Sequence, residues 1–146
     1  MDKKMRLGYT YICVSDMEKS LDFYIKLLQQ NPECINEQRW VSFNCGNTLA
    51  LYNEKYDQEL IDNNDISNHF NENYIHDFQE TSGSTKINNI VVFNFMVDDI
   101  KSEYQRIKNL NIGAVSELMY VNITNPYWYF TIMDPDRNIL EIAEMK

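Results

Sequence analysis

Long apolar runs are missing from this chain. None approaches the roughly 18 residues of a membrane-spanning helix, and the basic residues of MDKKMRLGYTY lack the apolar stretch that follows them in a secretory signal. A cytoplasmic location, with no membrane partner, is the expectation. Basic residues are scarce too: 13 Lys and Arg stand against 22 Asp and Glu, a formal net charge of −9. Affinity for a phosphate backbone comes from clustered Lys and Arg, so nucleic acid is not an expected partner. Histidine is limited to His69 and His76, seven apart in a polar stretch. They either share a helix face or are solvated loop residues. Cys13, Cys34 and Cys45 are odd in number and lack the spacing of a metal site, which reads as buried or inert thiols.

What is present suffices for one folded unit. A chain of 146 residues, 44% of them hydrophobic, builds one core and is too short for two ordinary domains, so a single domain over residues 1–146 is expected. Ten Tyr, seven Phe and two Trp concentrate in segments with strand character.

LGYTYICV (7–14) alternates as a strand. In SDMEKSLDFYIKLLQQ, Ser15-Asp16 gives an N-cap, apolar Met17, Leu21, Tyr24, Leu27 and Leu28 recur at helical intervals, and Ser15 with Glu18 has the spacing of a capping box. The helix should end before Asn31-Pro32. RWVSFN and TLALYN follow as strands joined by a hairpin turn at Cys45-Gly46-Asn47. The same order then returns: NIVVFNFMV (89–97) is a strand, Asp98-Asp99 caps, and IKSEYQRIKNLNIG is a helix closed by Gly113. Val14 falls on Val97, Asp16 on Asp99, Leu21 on Tyr104 and Leu27 on Leu110 at a shift of 83 residues, an internal repeat. TLAL (48–51) falls on ILEI (139–142) at a shift of 91, with NPYWYFTIM as the strand before it. Module one therefore spans about 5–53 and module two about 89–146. The polar insert of about 54–88 has local helix expected near Asp57 to Ile61, and is either a lid or a solvated connector.

VSDMEKSLDFY, VDDIKSEYQRIKNLNIG and DPDRNILEI together resemble the vicinal oxygen chelate superfamily, which includes glyoxalases, extradiol dioxygenases and bleomycin-resistance proteins. The resemblance covers nearly the whole chain outside the insert. It implies an α+β fold of two paired βαβββ modules whose curved mixed sheet encloses a cleft, often completed by a homodimer. Metal-dependent members carry four ligands, whose positions correspond here to Tyr9, Ala50, Val92 and Glu141. Only Glu141 is a ligand type, whereas even an open catalytic site uses about three protein ligands. No metal or other cofactor is expected.

A strand's period of two assigns the remaining positions to faces. The resemblance puts Tyr9, Tyr11, Cys13, Thr48, Ala50, Tyr52, Val92, Asn94, Met96, Ile139 and Glu141 on the cleft side. Ile12, Val14, Leu49, Leu51, Phe93, Phe95, Leu140 and Ile142 lie opposite, suited to packing under the helices. The polar members of Trp40, Ser42 and Asn44 suggest that this set faces the cleft. Tyr127, Tyr129 and Thr131 are placed inward, an assignment that a one-residue slip reverses.

An aromatic cleft with one acid suits a planar or cationic organic ligand. The leading expectation is a metal-independent small-molecule-binding protein using Tyr9, Tyr11, Trp40, Ser42, Ala50, Tyr52, Val92, Asn94, Met96, Tyr129 and Glu141. An enzyme with Glu141 as general base and Tyr9 or Tyr11 as donor is the alternative. So is an accessory domain with a vestigial cleft, in which Glu141 pairs with Arg39 or Arg6 and the tyrosines are core. Arg137 stands where the family turn usually has Gly, which implies a different turn or modest strain.

Overall fold

The computed structural model describes residues 8–66, 69–81, 91–121 and 126–145. The chain divides into two compact units, Met1–Thr85 and Lys86–Lys146. Each holds one four-stranded mixed sheet with one long helix, and the class is α+β.

In the first unit β1 (Thr10–Val14) leads into α1 (Met17–Leu28), then β2 (Cys34–Asn36), β3 (Trp40–Asn44) and β4 (Thr48–Asn53). The sheet order is β1-β4-β3-β2, with β1 parallel to β4 and the other pairs antiparallel. Two further helices, α2 (Glu54–Asp62) and α3 (Glu72–Thr81), come from the insert. Local helix near Asp57 matches the sequence; α3 was not anticipated, because its polar composition hides a ring series spaced by four, Phe70, Tyr74 and Phe78. His69 precedes α3 whereas His76 lies on it, so the two do not share a helix.

The second unit repeats the plan: β5 (Phe93–Met96), α4 (Ile100–Leu110), β6 (Met119–Val121), β7 (Tyr127–Met133) and β8 (Ile139–Met145), in the order β5-β8-β7-β6. The repeat extends to the helix ends. Asp16 and Asp99 are both extended N-caps, accepting from the backbone N–H of Lys19 and Ser102. Gln29 and Asn111 both close their helices in the left-handed region, at φ 54° and 51°. Two sequence expectations are corrected here. Asp16 and not Ser15 caps α1, so the Ser15–Glu18 spacing is not a capping box. Asn111, an amide side chain that tolerates left-handed backbone, ends α4 before Gly113 is reached.

The core of each unit lies between its helix and one face of its sheet. Ile12, Val14, Val41, Phe43, Leu49 and Leu51 are buried in the first, where Tyr24 of α1 meets Phe43. Phe130, Ile132, Leu140 and Ile142 are buried in the second, with Tyr104 of α4 edge-on to Phe130 at 5.0 Å. Burying such a side chain stabilises the fold by about 1.5–3 kcal/mol. This packing leaves the opposite sheet faces to carry other chemistry. Among the described residues no helix is long and apolar enough to cross a membrane.

Candidate functional site

Residues paired across a sheet point to the same side, so the strand registers settle the faces. In the first unit Tyr11 pairs with Ala50 and Ala50 with Ser42, while Cys13 pairs with Tyr52 and Tyr52 with Trp40. All six therefore share the face away from α1, and Asn44 joins them opposite Thr48. Ala50 and Ser42, at 0% and 4% exposure, are too buried to offer a surface of their own. The rings beside these small side chains form the surface instead. Tyr9 and Tyr11 are 62% and 55% exposed. Trp40 lies 5.9 Å from Tyr9, 5.4 Å from Tyr11 and 6.5 Å from Tyr52 between centroids, in edge-on and tilted geometries that ring quadrupoles favour. Cys13, on this face, and Cys34, on the edge strand β2, are exposed, which corrects the buried alternative of the two expected for these thiols. Burial pushes the Cys45 thiol up.

A buried acid that sequence reasoning missed borders the rings. Asp57 of α2 is fully buried. Its Oδ1 accepts from Arg39 Nε at 2.7 Å; its Oδ2 accepts from Arg39 Nη2 at 3.1 Å, the Tyr52 hydroxyl at 2.6 Å and the Tyr74 hydroxyl at 2.5 Å. The two hydroxyls are 3.3 Å apart, and the Arg39 guanidinium stands 5.3 Å from the centre of the Tyr52 ring. Burial works to raise the Asp57 carboxyl, but the donors from Arg39, Tyr52 and Tyr74 outweigh it and hold the pKa below the ordinary carboxylate value. Burial and the bond to Asp57 push the Tyr52 hydroxyl well above its ordinary value, so it stays a donor. The hydrogen bond to Asp57 holds Arg39 firmly charged. Arg39 is thus committed to Asp57, which corrects its suggested pairing with Glu141; Arg6 lies outside the described residues. No periodicity marks Asp57, one acid among several in a polar run. The single usable signal was its place in a stretch with helical character.

In the second unit Asn94 pairs with Glu141 and Glu141 with Thr131; Met96 and Tyr129 both pair with Ala143. Tyr127, Tyr129 and Thr131 consequently share the Glu141 face, and Trp128, Phe130 and Ile132 the helix face. Asn94 Nδ2 donates to Glu141 Oε1 at 2.7 Å, which orients the carboxylate. Val92, Met96 and Ile139 are exposed around this pair. The acid inside the last strand therefore has an amide partner on the neighbouring strand. The turn before β8 is held by Asp134, which accepts from the backbone N–H groups of Asp136 and Asn138 and from the Asn138 amide. Arg137 adopts φ 68°, so the left-handed turn survives without glycine and carries modest strain.

Among the described residues no group of three His, Cys, Asp or Glu side chains is placed to hold a metal ion. At the positions that the resemblance assigns to metal ligands, the side chains of Ala50 and Val92 have no donor atom, so the residues present do not fit the centre that the resemblance would imply.

No protein-family model matches the chain, and no curated protein matches it. Solved structures do. Lactoylglutathione lyase from Agrobacterium tumefaciens is 18% identical, with 97% of this chain and 95% of that one covered and a TM-score of 0.63. A glyoxalase/bleomycin resistance protein/dioxygenase family enzyme from Burkholderia phytofirmans PsJN is 14% identical, at 95% and 98% coverage and a TM-score of 0.65. A glyoxalase-related enzyme from Fulvimarina pelagi is 15% identical, at 97% and 88% coverage and 0.64. The chain has the two-module fold of the vicinal oxygen chelate proteins, and likeness at these identities extends to the fold alone.

Proposed function

We propose that this chain is a metal-independent small-molecule-binding protein of the glyoxalase/bleomycin-resistance type, taking a planar aromatic or cationic ligand on the tyrosine and tryptophan face of its first module. The observation that carries this reading is the exposure of Tyr9 and Tyr11 in contact with Trp40. Clustered exposed rings are unusual on a surface without a partner. Ring faces attract both flat molecules and cations. The position of Tyr9 and Tyr11 also speaks against a vestigial site in which the tyrosines are core. Homodimer formation and a cytoplasmic setting belong to this reading. Titration with a panel of planar amines tests it: Trp40→Ala should weaken a ligand found in the panel by about tenfold or more. Unchanged affinity would remove this face from consideration.

An enzyme is the second reading, favoured by the Asn94 amide that orients Glu141 at 2.7 Å, as a positioned base requires. Turnover lost in Glu141→Ala supports this reading, and elemental analysis after loading with Ni²⁺, Zn²⁺, Mn²⁺ and Fe²⁺ tests the metal independence that both readings share. About one tightly held metal per chain, lost in the variant, would overturn metal independence and revive metal-assisted chemistry at Glu141.

A further inference from the structure

The insert does more than connect two modules. Its helices α2 and α3 supply Asp57 and Tyr74 to a cluster whose other members are Arg39, from the turn between β2 and β3, and Tyr52 of β4. Tyr52 is at once a donor to Asp57 and a neighbour of Tyr11 and Trp40, at 6.0 and 6.5 Å. Beyond the shared hydroxyl contact, Tyr74 stacks on Phe70 at 4.7 Å with planes 13° apart. Two sets of rings, Tyr9–Trp40–Tyr52 on the sheet and Tyr74–Phe70 on the insert, therefore meet through the Tyr52 and Tyr74 hydroxyls, and Asp57 is the junction. The same carboxylate neutralises Arg39, whose guanidinium lies 5.3 Å from the Tyr52 ring and would otherwise present an uncompensated positive charge beside it.

We propose that Asp57 is a positioning and specificity-determining residue for the ligand surface of the first module: it fixes Tyr52 and the Tyr74–Phe70 stack, and it cancels the charge of Arg39 so that a planar cation is accepted on the rings. The proposal rests on the reading of that face as the ligand site. It commits to an organic cation because ring faces supply the attraction while the neighbouring cation is already neutralised. Two separable roles follow. Loss of the Tyr74 hydroxyl loosens the rings and leaves the charges unchanged. Loss of the Asp57 charge loosens the rings and also leaves Arg39 uncompensated.

The test uses the 146-residue chain carrying Trp128→Phe, so that Trp40 is its sole tryptophan; Trp128 is on the helix face of the second module, beside Tyr120. Two flat probes of the same shape are titrated at mildly alkaline pH: N-methylacridinium, a permanent cation, and acridine, which is uncharged there. Tyr74→Phe should weaken both by a similar factor of about three to five. Asp57→Asn should weaken acridine to the same extent and N-methylacridinium by a further factor of about ten, because Arg39 then repels the cation. Thermal unfolding is followed in parallel, and titrations are made well below each Tm. A purely structural role lowers Tm without changing the ratio of the two affinities, and that result in Asp57→Asn overturns the selectivity. Should Asp57→Asn not fold, Tyr74→Phe with unchanged affinities overturns the positioning. Binding that is lost in Trp40→Ala, measured by equilibrium dialysis because that variant lacks the reporter indole, but retained in both cluster variants leaves the ligand face intact and removes only this proposal. Parent protein that binds neither probe overturns both.

Discussion

The two modules have one topology and the same helix ends, yet their free sheet faces differ. The first presents Tyr9, Tyr11, Trp40 and Tyr52, tied by Asp57 to two insert helices. The second presents a Glu141–Asn94 pair among Val92, Met96 and Ile139. The helix-side faces are alike because both must bury aliphatic and aromatic side chains against an amphipathic helix. A face free of that constraint is open to diverge. The contrast shows a duplicated scaffold with two separately specified surfaces.

The sharpest way to break the comparison is to remove the acid from each face. Asp57→Ala strands Arg39 and two hydroxyls around an emptied buried site and should cost about 3 kcal/mol, seen as a lower urea midpoint. Glu141→Gln keeps an acceptor for Asn94 and should change stability by no more than about 0.5 kcal/mol. Equal losses would mean that the two acids are structurally equivalent after all.

Acid sharpens the same contrast. The folded Asp57 carboxyl has a lowered pKa, so its contribution is fully present above the unfolded value of about 3.9 and is lost as pH falls through the folded value. Urea midpoints measured across that window should fall steeply in the parent and less steeply in Asp57→Asn. Parallel slopes would remove Asp57 from the acid response.

Where the modules agree, matched changes should have matched effects. Asp16→Ala and Asp99→Ala each remove an N-cap and should each lower Tm by about 2–4 °C, while Ser15→Ala should leave Tm nearly unchanged. A loss in Ser15→Ala as large as that in Asp16→Ala would restore Ser15 as the cap. The smallest effect is expected at the turn before β8: Arg137→Gly relieves left-handed backbone and adds chain entropy to the unfolded state, for a net gain of about 0.5 kcal/mol. A loss would show that the Arg137 side chain has a role that its backbone conformation does not reveal.

Much of the fold was legible in the residues. The alternation of LGYTYICV and ILEI, the helical spacing of Met17 to Leu28 and the Asp16–Asp99 correspondence all express local periods that follow from backbone geometry. A period groups Trp40 with Ser42 and Tyr129 with Thr131 but does not say which way each set faces; the pairings with Tyr52 and Ala143 decide that. They gave no warning that Ala50 and Ser42 are buried on the otherwise open face, since alternation distinguishes sides and not depths. The insert was the larger surprise. Its Asn, Asp and Glu read as solvated, and α3 became visible only with Phe70, Tyr74 and Phe78 aligned on the first unit.

The sequence by itself determined two modules, their order of elements and the side of each strand that meets a helix, because those depend on contacts within a few residues and on a fixed period. Tertiary structure alone decided which partner each charge took. Arg39 reaches Asp57 across 18 positions and Asn94 reaches Glu141 across 47. No local pattern encodes such pairs: folding brings the partners into hydrogen-bond range from distant positions, and at Asp57 burial also strips away the water that would otherwise satisfy the carboxylate.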